Sequence, residues 1–534
     1  MLFGNNNSKY NRKLHVPSTF EPRITLPKPL RTWFSLATDT CVPLKPRKRY
    51  NLPAYLRQTI KQLKHHPQLR FVPTDKNLGP SILLQQQYLN LGISHLEENT
   101  HAYIQILCLD LETVRKKVIT FHKILIRQFP DLKRDGRIII HSLSSQTTGT
   151  LRLLPKLHKR DNEGNWNKSI RPIISSKKSV TYGLSKWTDY FLQPILLKSE
   201  TYLKDSQQLL DILKTCSVRD SDQLVTLDAS SLYTSIPLKN LLKVMRIILR
   251  HHYLSRFLLQ AITIILFNNF FTFSNHTYKQ ITGIAMGTPV APTLASLYLA
   301  YYEFTYIQSS KLWKKEIVLF TRYIDDLLIL WRPSCNTAKE HLFALLDKEI
   351  GISWNVDSNF QPCASFLDLS LELKNNKIIT RTHQKALNLY LYIPRNSSHP
   401  PHSLLGLITG LLKKYYLQNT YLHDFYELTN RLLRRLFVRG YPIHILEPIF
   451  QQVLSNTASL RTPSLGRKFF LKLPYDPNGP TPSSIYSSLN LQRLQNLLHD
   501  NNLGRVFICY KRSSNLRDIL CRFPSELSAN HNTQ

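Results

Sequence analysis

The chain has 534 residues, and its Lys and Arg residues outnumber Asp and Glu by 70 to 35, which gives a formal net charge of +35. This excess indicates a polyanionic partner, and nucleic acid is favoured over a membrane because the sequence has no signal-peptide pattern, amphipathic anchor or membrane-length apolar stretch. The seven cysteines include no CxxC pair, which argues against a zinc site or disulfide framework and fits a reducing compartment.

The first segments of the chain are basic and poor in helical patterns. Residues 1–60 are rich in Pro, Asn and basic residues, and they are predicted to form an extended or partly ordered arm. Within this arm, KPRKRY (Lys45–Tyr50) resembles a nuclear localisation signal, although so short a basic run is more often a solvated patch. Farther on, TDKNLG predicts a turn before a strand, with Asp75, Lys76 and Gly79 in the turn.

A basic hairpin is predicted next. LRLLPKLHKR and SIRPIISSKKS are strand-like segments separated by the polar turn DNEGNWN. Such a hairpin would present Lys156 and Arg171 on one side, where the two cations suit a triphosphate. The alternative interpretation is a solvated basic hairpin.

The segment LVTLDASSLYTSIP places Asp228 at the end of a strand-like run. Tyr233 follows five residues later, where its ring could pack under the sugar of an incoming nucleotide and clash with a ribose 2′-OH. This would favour deoxynucleotides. The alternative is an ordinary core tyrosine.

A glycine-rich turn followed by a helix is predicted in QITGIAMGTPVAPTLASLYLAYYE. Gly283 and Gly287 permit a positive φ or a close backbone approach. Thr288 is the expected N-cap and Pro289 the expected first helical residue. A buried stripe at 4-3-4 spacing is predicted for Val290, Leu294, Leu297 and Tyr301.

Two adjacent acids lie in VLFTRYIDDLLILW, between apolar strand-forming runs. A tight turn would place Asp325 and Asp326 at the tip of a buried hairpin. Carboxylates there are costly unless cations neutralise them, and Asp228 would complete a cage for two metal ions of the kind that polymerases use. The alternative is a structural hairpin with a solvated turn.

A positively charged helix is predicted in RLLRRLFVRG, where Arg431, Arg435 and Arg439 recur at every fourth position. Like charges stacked on one helix face repel, so an anionic partner would relieve the cost. The functional interpretation is contact with a nucleic-acid duplex, and the alternative is a surface helix with spare charge.

The ordered motifs LPKLHK, RPIIS, LDASSLYTSIP, GIAMGTPVAPTLASLYL, RYIDDLLIL and FLDLSLEL resemble those of reverse transcriptases. More narrowly, the chain is similar to the Penelope-like retroelement family, which is related to the telomerase catalytic subunit. The family implies an α/β (α+β) right-hand polymerase fold: fingers, a palm with an antiparallel sheet and backing helices, and a mostly helical thumb. The expected divisions are an arm (1–60), fingers (61–220), palm (221–385), thumb (386–460) and C-terminal extension (461–534).

The resemblance also implies roles for individual residues. Asp228 and Asp325 would bind two Mg²⁺ ions, replaceable by Mn²⁺, with Asp326 supporting them. The other implied roles are dNTP phosphate contacts for Lys156 and Arg171, a sugar gate for Tyr233, and template and nucleotide positioning for Gln280 and Gly287. The expected partners are an RNA template, a DNA primer or target and dNTPs, and no membrane.

The predicted function is RNA-directed DNA polymerisation by two-metal-ion catalysis. The protein is expected to be synthesised in the cytoplasm and to act in the nucleus. One alternative is an RNA-dependent RNA polymerase, which needs no sugar gate, and another is a non-catalytic nucleic-acid-binding relic. Complete elements of this family often end in a GIY-YIG endonuclease, which nothing in this sequence matches. No endonuclease is therefore predicted on this chain, as in an endonuclease-lacking branch or a truncated copy.

Overall fold

The computed structural model describes two compact units. The structure describes Thr32 and residues 52–76, 78–144, 147–177, 179–333, 337–349, 352–385, 388–400, 402–455, 468–475, 491–500, 505–511 and 515–521. Within this set, residues 68–388 form the first unit, and residues 52–67 together with those between 389 and 522 belong to the second. Most of the predicted arm, including the basic run Lys45–Tyr50, lies outside the described residues.

A four-stranded antiparallel sheet of the first unit carries the acidic residues. Its strands, in spatial order, are β11 (Trp354–Gln361), β6 (Gln223–Ala229), β10 (Asp326–Trp331) and β9 (Ile317–Tyr323). The two inner strands are apolar along nearly their whole length because both faces are covered. Val225 and Leu227 pack into a core on one face, whereas Leu224, Leu328 and Leu330 pack into a second core on the other.

A second, five-stranded sheet contains the predicted basic hairpin. Its spatial order is β3 (Tyr103–Ile106), β8 (His276–Gln280), β7 (Phe270–Phe273), β4 (Gly149–Pro155) and β5 (Ile170–Ser175). Strands β4 and β5 pair antiparallel, with Leu154 opposite Arg171, so the hairpin prediction is confirmed. Smaller antiparallel sheets are formed by β1 (Leu69–Pro73) with β2 (Pro80–Leu84), and by β12 (Cys363–Phe366), β13 (Leu369–Lys374) and β14 (Lys377–Thr382).

Helices supply most of the remaining core of the first unit. They are α2 (Gln85–Glu98), α3 (Leu111–Gln128), α4 (Lys133–His141), α5 (Tyr182–Leu196), α6 (Ser206–Leu213), α7 (Leu232–Ser235), α8 (Leu238–Ile248), α9 (Ser255–Phe267), α10 (Ala291–Tyr302), α11 (Lys311–Lys315) and α12 (Thr337–Ala344). Short 3₁₀ turns cover Pro130–Leu132 and Ser142–Ser144, and π-helical segments cover Glu303–Gln308 and Leu345–Glu349.

Helix α10 differs in two respects from its prediction. It begins at Ala291, with Val290 in the N-cap position, and not at Thr288–Pro289. The residues before it form a turn in which the Ala291 amide donates to the Thr288 carbonyl, and Pro292 takes the early position where a missing N–H costs nothing. The helix is also buried on nearly every side and not along one stripe, which is typical of a helix surrounded by other elements.

The second unit is mainly helical. Its helices include α1 (Ala54–Lys64), α13 (Ser403–Gln418), α14 (Leu422–Val438) and α15 (Ile443–Ser455), and the core of the last three includes Ile408, Phe425, Leu432 and Leu446. Strands β15 (Lys468–Pro474) and β16 (Arg505–Lys511) pair in parallel, with α16 (Leu491–Asp500) between them in sequence and α17 (Leu516–Leu520) after them.

The placement of Arg439 on the charged helix is corrected. Helix α14 ends at Val438, and Arg439 is its C-cap. Gly440 follows with a φ of 90°, and its amide donates to the Phe437 carbonyl at 2.9 Å. A glycine in this left-handed conformation is a usual way for a helix to end.

The boundaries between arm, fingers, palm, thumb and extension stay predictions. Among the helices that the structure describes, none has both the length and the apolar character needed to cross a bilayer.

Candidate active site

The two adjacent acids lie at the tip of a tight hairpin, as predicted. Strands β9 and β10 pair antiparallel up to Tyr323 and Asp326, so Ile324 and Asp325 form a two-residue turn. Ile324 has a φ of 57°, which is unfavourable for a β-branched residue. The Ala229 amide donates to the Asp325 carbonyl at 3.0 Å, which ties this turn to the end of β6.

The strand register brings Asp228 to the same place. Asp326 pairs directly with Asp228 across β10 and β6, and carboxylate oxygens of Asp228, Asp325 and Asp326 all lie within 4.8 Å of one another. The convergence predicted from sequence is therefore present. These are hard oxygen ligands, and their arrangement fits a divalent ion such as Mg²⁺.

The electrostatics of the three acids also point to a cation. Burial raises the pKa of Asp326 to about 6, with Asp325 and Asp228 adding to the effect. The pKa of Asp228 is raised mainly by burial and then by Asp325 and Asp357, whereas Arg171 and Lys159 oppose the shift. Like charges close together in a half-buried place disfavour ionisation, and a bound cation would reverse this effect.

The glycine-rich turn approaches two neighbouring elements closely. At Gly283 (φ 72°), a Cβ would lie 2.6 Å from the Tyr233 carbonyl oxygen, and at Gly287 (φ 109°) it would lie 2.4 Å from the Ile174 carbonyl oxygen. The Ile174 amide donates to the Met286 carbonyl at 2.7 Å. The predicted positive φ angles and close approaches are confirmed, and they hold the start of α10 between α7 and β5.

Tyr233 lies beside the acids. It sits on the short helix α7, where its carbonyl accepts from the Ile284 amide at 2.6 Å. Burial, and then the negative charge of Asp325, raise the pKa of Tyr233 to about 12, and the positive charge of Arg171 opposes this rise. The ring is therefore half-buried near both the acids and a cation.

Lys156 and Arg171 belong to a larger basic cluster. Arg171 is half-exposed, and its Nε lies 3.4 Å from Oδ1 of the buried Asp75. Burial lowers the pKa of Lys156, and the nearby positive charges of Lys159 and Arg171 lower it further. Cations held together in this way suit an anionic ligand.

Gln280 does not present its side chain to a ligand. It is 2% exposed, its Nε2 donates to the Thr282 carbonyl at 2.9 Å, and its Oε1 accepts from Asn269 Nδ2 at 3.2 Å. These bonds hold the entrance to the glycine-rich turn. The geometry thus favours a positioning role over direct nucleotide contact.

The three arginines of the second unit each have a partner within that unit. Arg431 pairs with Glu427, the Arg435 guanidinium lies 3.9 Å from the Tyr390 ring centroid, and Arg439 Nε donates to the Tyr392 carbonyl at 2.8 Å. Relief of their mutual repulsion therefore does not require an external anion. Nucleic-acid binding by these residues stays a prediction.

Two residues of the site were underestimated from sequence. Asp75, in the weakly informative TDKNLG turn, is buried against Arg171, and its amide donates to the Pro155 carbonyl at 3.0 Å. Lys159, only three residues beyond Lys156, influences the pKa of both Asp228 and Lys156. The available signal was their proximity in sequence to other site residues, which does not predict a tertiary contact.

Comparisons with known proteins find one matching family and several similar solved structures. Residues 157–354 match the family described as reverse transcriptase (RNA-dependent DNA polymerase). No curated protein sequence matches the chain. Among solved structures, it is similar to a Candida albicans telomerase in complex with a TWJ fragment of telomeric RNA, at 11% identity and a TM-score of 0.49, covering 75% of this chain and 65% of that one.

An apo telomerase from Candida tropicalis is similar at 10% identity and a TM-score of 0.43, covering 74% of this chain and 68% of that one. This chain thus spans slightly less than two thirds of the Candida albicans protein. The matched family segment contains Arg171, the glycine-rich turn and all three clustered acids. Residues 157–354 are therefore a reverse transcriptase domain, of the RNA-dependent DNA polymerase class of nucleotidyltransferases.

Proposed function

We propose that this chain is the RNA-directed DNA polymerase of a Penelope-like retroelement, and that it extends a primer 3′-OH with dNTPs on an RNA template. The observation that carries the proposal is the convergence of Asp228, Asp325 and Asp326, whose carboxylate oxygens lie within 4.8 Å of one another. The narrower family assignment is supported by the ordered motifs from LPKLHK to FLDLSLEL.

Asp228 and Asp325, with Asp326 beside them, would hold two Mg²⁺ ions, for which Mn²⁺ could substitute. Such a pair of ions stabilises charge on the attacking and leaving oxygens of phosphoryl transfer. The contribution of the protein is to keep three mutually repelling carboxylates together on a rigid sheet. The direct pairing of Asp326 with Asp228 does this without depending on a long loop.

The basic cluster is proposed to bind the triphosphate of the incoming dNTP. Lys156 and Arg171 would contact its phosphates, with Lys159 adding positive charge nearby. Asp75 would orient Arg171, because its buried carboxylate contacts Nε and leaves the outer guanidinium nitrogens for phosphate. Burial and then repulsion by Lys159 and Arg171 lower the pKa of Lys156, and bound phosphate would oppose both effects.

Tyr233 is proposed to select deoxyribose. Its backbone is fixed against the glycine-rich turn by the Ile284 amide, so the ring has limited freedom to retreat from a ribose 2′-OH. Gly287 and Gln280 would shape this turn. Nucleic-acid binding by Arg431, Arg435 and Arg439 belongs to the same proposal, and it would require these side chains to exchange their present partners.

The test is extension of a DNA primer on an RNA template, with dNTPs compared with rNTPs. Wild-type protein is expected to prefer dNTPs. Tyr233→Ala should reduce this preference by roughly 10- to 100-fold, within the range that one steric contact contributes to selectivity. The matched variant Tyr233→Phe keeps the ring and should keep the preference.

Different results would redirect the proposal. Wild-type preference for rNTPs would support an RNA polymerase. Absence of extension in both Mg²⁺ and Mn²⁺ would support a non-catalytic nucleic-acid-binding protein. An unchanged sugar preference in Tyr233→Ala would remove Tyr233 from the proposed gate.

A further inference from the structure

A fully buried ion pair contacts the backbone of the acidic turn. Arg322 and Glu303 are both 0% exposed, and the Arg322 guanidinium contacts both carboxylate oxygens of Glu303 through Nε and Nη2. Glu303 begins the π-helical segment that follows α10. Thr201 Oγ1 donates to Glu303 Oε2 at 2.5 Å and so adds a further hydrogen bond to this carboxylate.

The remaining donors of Arg322 reach two elements of the site. Nη1 donates to the Ile324 carbonyl at 2.7 Å, and Nη2 donates to the Ser296 carbonyl of α10 at 3.1 Å. One guanidinium therefore links Glu303, the helix that follows the glycine-rich turn, and the turn that carries Asp325. A planar fork of five N–H donors makes this possible, and a lysine ammonium cannot reproduce it.

The turn needs such a contact because its backbone conformation is unfavourable. Ile324 has a φ of 57°, a region where β-branched residues are rare and strained. Its carbonyl belongs to the peptide group that leads into Asp325. Arg322 holds this peptide, and the Ala229 amide holds the next one at 3.0 Å. The two peptides flanking the Asp325 side chain are thus held by two different partners.

We propose that Arg322, oriented by Glu303, is a positioning residue that holds Asp325 in its metal-binding geometry. The inference rests on the proposed polymerase function. Ordinary stabilisation explains the arrangement less well, because a buried ion pair is often no more stabilising than apolar residues of similar size. The specific consequence of this pair is the orientation of one peptide in the strained turn.

The same sheet offers a matched control at its other end. Arg332, immediately after β10, forms a two-pronged ion pair with the buried Asp222, through Nε at 3.0 Å and Nη2 at 2.9 Å. Its Nη2 also donates to the Ser217 carbonyl at 3.1 Å. This pair resembles the first in chemistry, but the bonds described here do not include the acidic turn.

The experiment compares Arg322→Lys and Glu303→Gln with Arg332→Lys and Asp222→Asn in the full chain. Two quantities are measured: the rate of RNA-templated extension at saturating dNTP, and the dissociation constant for Mn²⁺ in the absence of nucleotide, by electron paramagnetic resonance. Thermal melts record the loss of stability in every variant. We expect the first pair to lose about 10- to 100-fold in extension rate and to bind Mn²⁺ more weakly.

The control variants should melt earlier but stay within about twofold of wild type in both other measurements, as expected of a purely structural pair. If Arg322→Lys does not fold, Glu303→Gln decides. Folded variants of Arg322 or Glu303 that match the Arg332 controls in rate and Mn²⁺ affinity would overturn the positioning role. Failure of wild-type protein to extend any primer would instead contradict the proposed function itself.

Discussion

The three clustered acids and the three arginines near the end of α14 are both groups of like charge, but the residues that surround them differ. Each of the three arginines has a partner within its own unit: Glu427, the ring of Tyr390 or the carbonyl of Tyr392. The three acids are close neighbours of one another, and burial and mutual repulsion raise the pKa of Asp228 and Asp326.

This difference separates two meanings of a charge pattern in a sequence. A charged helix face can be satisfied by nearby residues, so the pattern alone does not identify a binding surface. Acids held together at a cost to their own ionisation indicate that a cation completes the site. The acid cluster is therefore stronger support for function than the arginine pattern.

The largest expected effect is on the acids themselves. Asp325→Ala should lower primer extension by at least about 10³-fold, because loss of a metal ligand removes several kcal/mol of transition-state stabilisation. Nucleic-acid binding, measured by gel shift, should be nearly unchanged. Normal extension by the purified variant would refute the assignment of Asp325.

Asp357→Asn is the matched control for this effect. Asp357 is exposed on the neighbouring strand β11 and is near enough to raise the pKa of Asp228, but it lies outside the group of three clustered acids. Its replacement should change extension by less than about threefold, as for an exposed charge that ligates no ion. A loss similar to that of Asp325→Ala would enlarge the site to four acids.

A smaller effect is expected at the arginines. Arg435→Ala should lower the free energy of unfolding by about 1 kcal/mol through loss of the contact with the Tyr390 ring, which chemical denaturation would measure. Exposed Arg434 in the same helix is the control. If Arg435 contacts a phosphate, Arg435→Ala should also reduce the slope of the logarithm of the duplex-binding constant against the logarithm of salt concentration by about 1. Arg434→Ala should leave this slope unchanged.

Local patterns predicted much of the site. The turn at Asp325 follows from two apolar runs around a short polar break, and the close approach at Gly287 follows from a glycine-rich segment. The end of α14 was predicted wrongly, because the fourfold spacing of the arginines was extended to Arg439 although Gly440 is a usual signal for a helix terminus. The start of α10 was misplaced because proline is favoured as the first residue of a helix, whereas Pro289 lies in the turn before the helix and Pro292 is its second residue.

Tertiary contacts could not be predicted in the same way. Arg322 stands in the motif RYIDDLLIL, yet nothing local indicates that its partner is Glu303 or that Thr201 supports both. The ion pair between Asp75 and Arg171 likewise joins distant segments. The continuous burial of α10 depends on neighbouring elements and not on its own periodicity.

The most direct test of the central claim compares wild type with Asp228→Asn/Asp326→Asn in melting temperature and Mn²⁺ binding. An acid whose pKa is raised on folding destabilises the protein increasingly as pH rises from its unfolded value of 3.8 through the folded value, about 6 for Asp326. At pH 7.5 without metal, the melting temperature of the double variant should therefore be higher than that of wild type by roughly a few degrees.

Wild type should bind Mn²⁺ and gain melting temperature from it, because an ion bound only to the folded state stabilises that state. The double variant should do neither, even though it is the more stable protein without metal. Equal Mn²⁺ binding and an equal gain in melting temperature by both proteins would contradict the claim that these acids converge to hold metal.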